Sequence, residues 1–370
     1  MTSPAASAAL IREWHDSELP TAIRRILDGI DRVLVYQVPM RMRFRGVTAR
    51  EGLLLHGENG WGEAAPFWEY GPAESSWWLR SALDGARRPR MTPPRDFVAI
   101  NATIPVCSPE KAVAIVAASG ASTAKIKVAD PNSSLHEDCE RIEAVAGFFA
   151  AREDADSGAR AAVPGKIRVD ANAAWDEDAA LQAIRELNHA AHAIGGLEYV
   201  EQPCPSIEQL AAVRQKSGVR IAADESIRRA EDPLKVARSQ AADVAIIKVA
   251  PLGGVMRAVS IARETGLDVV LSSALESSVG LQAGALAASL ATDAETACGL
   301  GTASLLAADV TTQPLIAENG RLALRDISPD EDRIVAASTD PATRDLEQRW
   351  LRRLEEICTY LSDVQEKVGA

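Results

Sequence analysis

Between residues 97 and 271, short apolar and β-branched runs alternate with Ala-rich amphipathic stretches. The runs are Phe97 to Ala102, Ala124 to Val128, Ile167 to Val169, Tyr199 to Val200, Ile221 to Ala223, Val244 to Val249 and Val269 to Leu271. They recur about every 20 to 40 residues, which is the length of a strand, a helix and the return to the next strand. A doubly wound sheet would show the same alternation. Seven units in a row, with no Gly-rich phosphate loop after the first, favour closure into a parallel α/β barrel.

The chain on either side reads differently. Arg32 to Val38, Gly52 to Gly57 and Gly60-Trp61-Gly62-Glu63-Ala64 have strand character and suggest an antiparallel meander, with Met40 to Gly46 as a loop of cations and bulky apolar groups. Residues 1 to 30 read as an Ala/Ser-rich extension with a helix start at Asp16-Ser17-Glu18-Leu19-Pro20, and Ala151 to Gly165 as a long connection. After about residue 310 the alternation stops. Pro341 to Val368 predicts a charged amphipathic helix around Trp350 and Leu351 that packs back on the N-terminal region.

Composition narrows the partners. The chain has 370 residues, 47% hydrophobic and 25% charged, enough to bury a large core, and its formal charge is −12. No Lys/Arg run supplies the field that nucleic acid or an anionic membrane requires, so a small molecule is the expected partner. The five cysteines (107, 139, 204, 298 and 358) form no C-x-x-C pair and read as reduced thiols, and no apolar stretch approaches the roughly 18 residues needed to cross a bilayer; a cytoplasmic location is expected.

Candidate chemistry lies where apolar runs end, because strand ends of a parallel barrel converge on one mouth. Five endings carry ionisable groups: Lys125-Ile126-Lys127, Val169-Asp170-Ala171-Asn172, Val200-Glu201-Gln202-Pro203, Ala223-Asp224-Glu225-Ser226 and Ile247-Lys248-Val249. Any one carboxylate closing a strand is more often a helix cap. Asp170, Glu201 and Asp224 close three consecutive strands, however, and in a closed barrel would repel one another unless a cation lay between them. Three hard oxygen donors suit Mg²⁺, with Mn²⁺ as the alternative, rather than Zn²⁺. Lys127 precedes the acidic series and Lys248 follows it, which places an amine on each flank.

The series K-x-K, D-x-N, E-Q-P, D-E-S, K resembles the muconate-cycloisomerase-like branch of the enolase superfamily over roughly residues 31 to 325. That resemblance implies a modified (β/α)7β TIM-like barrel, residues 105 to 310, with an α+β capping domain formed by both chain ends, residues 31 to 104 and 311 to 370. It implies that Asp170, Glu201 and Asp224 bind the metal, that Lys127 is the base that removes a proton α to a carboxylate, that Lys248 sits on the opposite face, and that Lys125, Asn172 and Glu225 support them. Such a carbon acid is weaker than a lysine ammonium by about 20 pKa units, nearly 30 kcal/mol, so an amine needs electrostatic help. Enolase-superfamily sites supply that help by pairing a Lys or His base with Mg²⁺. All five histidines precede Glu201, which excludes the branch that uses a late histidine as second base.

Val38 to Gly46, Leu271 to Gly280 and Cys298-Gly299-Leu300-Gly301-Thr302 look like the o-succinylbenzoate synthases of the menaquinone pathway, which lose water from a cyclohexadiene carboxylate through an enediolate. On that resemblance Ser272 and Ser273 bind the succinyl carboxylate and Arg43 or Arg45 closes over the substrate. N-succinylamino-acid racemases, dipeptide epimerases and muconate cycloisomerases share the same core motifs and stay open as alternatives. A barrel retained only for binding is the alternative from another class, with the five filled positions against it.

Overall fold

The structure, a computed structural model, describes residues 9–44, 46–156, 164–229, 232–331 and 341–369. Four strands, β1 (Ala9–His15), β2 (Ile30–Phe44), β3 (Val47–Gly57) and β4 (Gly60–Ala64), form an antiparallel sheet in chain order. The residues read as an extension therefore enter the sheet: β1 pairs with β2 as its edge strand, and α1 (Thr21–Ile26), in the connection from β1 to β2, buries Ile23 and Ile26. The cationic segment expected as a loop is the far end of the β2–β3 hairpin, where Phe44 pairs with Val47. Alternating apolar positions extend the pairing that far, which sequence punctuation alone does not show.

α2 (Pro72–Arg87) opens with Pro at its first position and lies directly on β4. Gly62 makes that approach possible, since a Cβ there would overlap the Ala82 carbonyl. The run Phe97 to Ala102 divides in two: β5 (Phe97–Ala99) leaves for a separate antiparallel pair, and β6 (Ala102–Ile104) begins the barrel.

The barrel then follows in order. It comprises α3 (Pro109–Ser119), β7 (Thr123–Lys127), α4 (Leu135–Asp156), β8 (Lys166–Asp170), α5 (Glu177–Ala190), β9 (Tyr199–Glu201), α6 (Ile207–Lys216) and β10 (Ile221–Ala223). After these come the short α7 (Glu225–Arg228) and α8 (Lys235–Arg238), β11 (Val244–Ile247), α9 (Val249–Leu252), α10 (Val255–Thr265), β12 (Asp268–Leu271) and α11 (Ser278–Ala291). β6 to β12 form one parallel sheet in sequence order. Cys298 and Gly299 close it, bridging Ile100 on one side and Ser272 on the other, both in parallel. The connection expected from residue 151 is helical through Asp156, and residues 157–163 lie outside the described residues.

β13 (Arg321–Ala323) pairs antiparallel with β5. α12 (Pro341–Gly369) lies against α1 and α2 and buries Trp350 and Leu354. Among the described residues no helix is long and apolar enough to cross a membrane.

The two-residue period of strands decides which side chains face inward. Tyr199, Ala222, Val244, Ile246 and Val270 form a core inside the barrel. Two residues further along the same strands come Glu201, Asp224, Lys248 and Ser272, which therefore emerge at the C-terminal rim of that core. Arg168 lies over the Tyr199 ring, which marks it as inward too, so Asp170 follows it to the mouth.

Candidate active site

The inward positions meet in a cavity of about 40 Å³ at the C-terminal ends of the strands, walled by the lysines and aspartates of β7, β8, β10 and β11 and by Thr103, Ser272, Ser273 and Thr302. Its two acidic groups, Asp170 and Asp224, are 2% exposed, and Glu201, which lies outside the lining and is joined to it through Lys125, is 0% exposed. Lys125 Nζ donates to both oxygens of Glu201 (2.9 Å each) and to Asp170 Oδ2 (3.1 Å). Lys127 Nζ donates to the same Asp170 oxygen (2.5 Å) and to Asn172 Oδ1 (2.6 Å). Across the cavity, Lys248 Nζ donates to Asp224 Oδ2 at 2.6 Å.

The sequence pattern leads one to expect Asp170, Glu201 and Asp224 to gather about a shared cation. Among the described residues no group of three or more His, Cys, Asp or Glu side chains is gathered as a ready metal cage. Ammonium groups stand between the carboxylates instead. Buried carboxylates need neutralisation at close range, and the same inward register that delivers them also delivers Lys125, Lys127 and Lys248.

The charges leave their mark on proton affinity. Burial pushes the Glu201 carboxyl up to about 7, and the charge on Asp170 adds to it, with Lys125 opposing and Asp224 reinforcing the rise. Burial acts the same way on Asp170, yet Lys127 and Lys125 hold it far below the usual carboxylate range. Asp224 is held at about 2, against its burial, by Lys248 and Arg228. Lys125 is likewise buried, and Glu201 and Asp170 keep it firmly protonated.

Residues outside the expected set hold this arrangement. Arg228 Nε donates to Asp224 Oδ1 (3.1 Å), Nη2 to Glu225 Oε1 (2.6 Å) and Nη1 to Tyr70 Oη (2.8 Å), which ties the mouth to the loop after β4. The spacing of Arg228 from Asp224 and Glu225, four and three residues along a helical turn, was a readable signal. Gln202, at φ +40°, accepts from Asp224 N (2.9 Å) and Ser226 N (3.2 Å) and donates to Ser226 Oγ (2.7 Å). Glu225 Oε2 is buried without a hydrogen-bond partner among the described residues. Replacing Arg228 with Met leaves two carboxylates without their common partner, so urea unfolding is expected to show a loss of about 3 to 5 kcal/mol. A change under about 1 kcal/mol would mean the pair contributes little.

Ser273 Oγ is committed to the loop, sharing a 2.6 Å hydrogen bond with Thr302 Oγ1 and accepting from Leu275 N at 2.9 Å. Among the described residues Ser272 Oγ has only a long contact with Gly299 O, 3.5 Å. Arg43 is exposed and donates to Gly46 O within its own hairpin, and Arg45 lies outside the described residues. All five cysteines are free.

The chain is similar to known proteins in both sequence and fold. Residues 109–329 match the enolase C-terminal domain-like family and residues 35–86 the enolase N-terminal domain-like family. The chain is 44% identical to the o-succinylbenzoate synthase of Thermobifida fusca (strain YX), covering 90% of this chain and 98% of that one. It is 46% identical to the o-succinylbenzoate synthase of Mycolicibacterium smegmatis (strain ATCC 700084 / mc(2)155), over 88% and 95% of the two chains. Among solved structures it resembles the dipeptide epimerase of Enterococcus faecalis V583 complexed with Mg and the dipeptide L-Leu-L-Tyr, with a TM-score of 0.63 at 21% identity over 80% of this chain and 97% of that one.

Proposed function

The chain belongs to the o-succinylbenzoate synthase family of the enolase superfamily, and from that premise we propose that it is a hydro-lyase of menaquinone biosynthesis converting 2-succinyl-6-hydroxy-2,4-cyclohexadiene-1-carboxylate to 2-succinylbenzoate. The observation that carries this reading at the site is the pair of amines, Lys127 and Lys248, each hydrogen-bonded to a different buried aspartate of one cavity. A substrate in that cavity has an amine on each face.

Lys127 Nζ, as the free amine, takes the proton α to the substrate carboxylate and returns a proton to the departing hydroxyl on the same face. One C–H and one C–O bond break, a ring double bond forms, and water leaves. Lys248, as the ammonium, faces the growing negative charge and the forming aromatic ring. Because aromatisation drives the reaction forward, Lys248 need not give or take a proton. Asn172 and Asp170 aim the Lys127 amine, and Ser272, whose hydroxyl is the less committed of the two serines, donates to the succinyl carboxylate.

Mg²⁺, or Mn²⁺ in its place, fits the donor set. Asp170, Glu201 and Asp224 are buried hard-oxygen donors, and Asp170 and Asp224 add to the rise that burial gives the Glu201 carboxyl. These three residues would hold the ion, which when bound supplies positive charge beside the substrate carboxylate. The free thiols fit a reducing cytoplasm.

The test is spectrophotometric. Enzyme, Mg²⁺ and the cyclohexadiene substrate are expected to give 2-succinylbenzoate, with no exchange of the α-proton of N-succinylamino acids into deuterated solvent at a comparable rate. Rapid exchange without dehydration would favour a racemase on this scaffold instead.

A further inference from the structure

α12 presents Arg349, Arg352 and Arg353 on one face, at positions i, i+3 and i+4, and all three line a second cleft of about 250 Å³ whose other wall includes Trp68 and Tyr70. Like charges at this spacing repel, in a chain whose formal charge is −12, and Glu356 is the one acidic residue of the lining. The cleft shares no lining residue with the lysine-lined cavity.

Arg353 is only 6% exposed. Its Nη2 donates to Phe67 O (2.6 Å), Tyr70 O (3.1 Å) and Ser75 Oγ (3.0 Å), while Nη1 is buried with no hydrogen-bond partner among the described residues. No carboxylate among those residues forms an ion pair with it. A buried guanidinium is costly, and burial brings its proton affinity down to about 10, with Glu69 and Glu356 opposing the fall and Arg50 and Arg349 adding to it. Among the described residues Arg349 pairs with Asp345 alone, at 3.9 Å, and lies 4.2 Å from the centroid of the Trp68 ring. The site thus combines three clustered cations, one with a buried donor left unpartnered among the described residues, with an aromatic ring, Trp68, that Arg349 and Arg353 already cover at 4.2 and 4.7 Å.

We propose that this cleft binds the carboxylate or phosphate group of a small molecule, with Arg349, Arg352 and Arg353 as the cationic wall. Arginine suits planar oxyanions because its fixed fork of donors matches two oxygens at once. Tyr70 also accepts from Arg228, which holds Asp224, so an occupant would lie a short chain of contacts from the reactive mouth.

The test is calorimetric titration of the full chain with sodium phosphate and, separately, sodium benzoate, at ionic strength held constant with sodium chloride. The expected result is one saturable event with a Kd of about 1 mM or tighter for at least one anion. The double variant Arg349→Gln/Arg352→Gln changes exposed or half-exposed positions, so its melting curve should match wild type while its binding weakens at least tenfold. Binding should persist in Lys127→Ala, which separates this cleft from the reactive cavity. Phosphate alone or benzoate alone identifies the source of the oxyanion. Absence of saturation, survival of binding in the double variant, or its loss in Lys127→Ala would each overturn the proposal.

Discussion

Alanine in place of Lys127 is expected to lower kcat for 2-succinylbenzoate formation by about 10³-fold or more, a barrier increase of about 4 kcal/mol. The side chain is half-buried, and its partner Asp170 keeps Lys125 as a counter-ion 3.1 Å away, so the fold should survive and substrate binding should change much less than turnover. Lys127→Arg tests the chemistry more sharply. It preserves positive charge beside Asp170 and Asn172, yet a guanidinium stays protonated at any working pH and cannot accept the α-proton, so activity should remain as low as in the alanine variant. If Lys127→Arg retained turnover within tenfold of wild type, Lys127 would be an electrostatic group and the base would have to be sought elsewhere.

The legible part of this site is the part written in single strands. Each residue pair Lys125/Lys127, Arg168/Asp170, Tyr199/Glu201, Ala222/Asp224, Ile246/Lys248 and Val270/Ser272 obeys the two-residue period, so a polar group ending an apolar run can be assigned to the barrel mouth from sequence alone. What such a pattern does not contain is the partner each charge chooses. Lys125 spans 45 residues to Asp170 and 76 to Glu201, and the sequence says nothing of whether it lies between them or beside them. The closing strand escapes a sequence reading because Cys298-Gly299 is only two bridged residues long and carries no β-branched run.

Contacts between the antiparallel sheet and the barrel are hidden for the same reason. Arg50 donates from β3 to Leu275 O (2.9 Å), and Glu63 of β4 accepts from Ser277 N (3.0 Å) and Gly280 N (2.9 Å) at the start of α11. Leu275 itself sits at φ +66°, so this clasp holds the loop that bears Ser272 and Ser273 in a conformation it would not adopt alone. Each partner lies more than 200 residues from the other, beyond any local rule. The β2–β3 hairpin is hidden in the opposite direction: its cationic residues read as a loop, whereas strand pairing continues to Phe44, with Arg43 exposed and Arg45 outside the described residues.

Glu201→Gln should abolish turnover by a different route. Within the mouth, Asp170, Glu201, Asp224 and Glu225 face Lys125, Lys127, Lys248 and Arg228, so formal charges balance as the site stands. The amide is nearly isosteric, but it removes one proposed oxygen ligand and leaves the cavity one positive charge in excess. Both changes oppose entry of a dication, since an uncompensated like charge a few ångströms away in a buried site costs several kcal/mol. Calorimetry should show Mg²⁺ binding weakened about 100-fold or more, and turnover at fixed Mg²⁺ should fall by at least as much. EDTA should silence the wild type and excess Mg²⁺ restore it; in the variant, rising Mg²⁺ should recover part of the activity, which separates a loss of occupancy from a loss of chemistry. An Mg²⁺ isotherm identical to wild type would remove Glu201 from the ligand set, and activity indifferent to EDTA in both proteins would remove the metal.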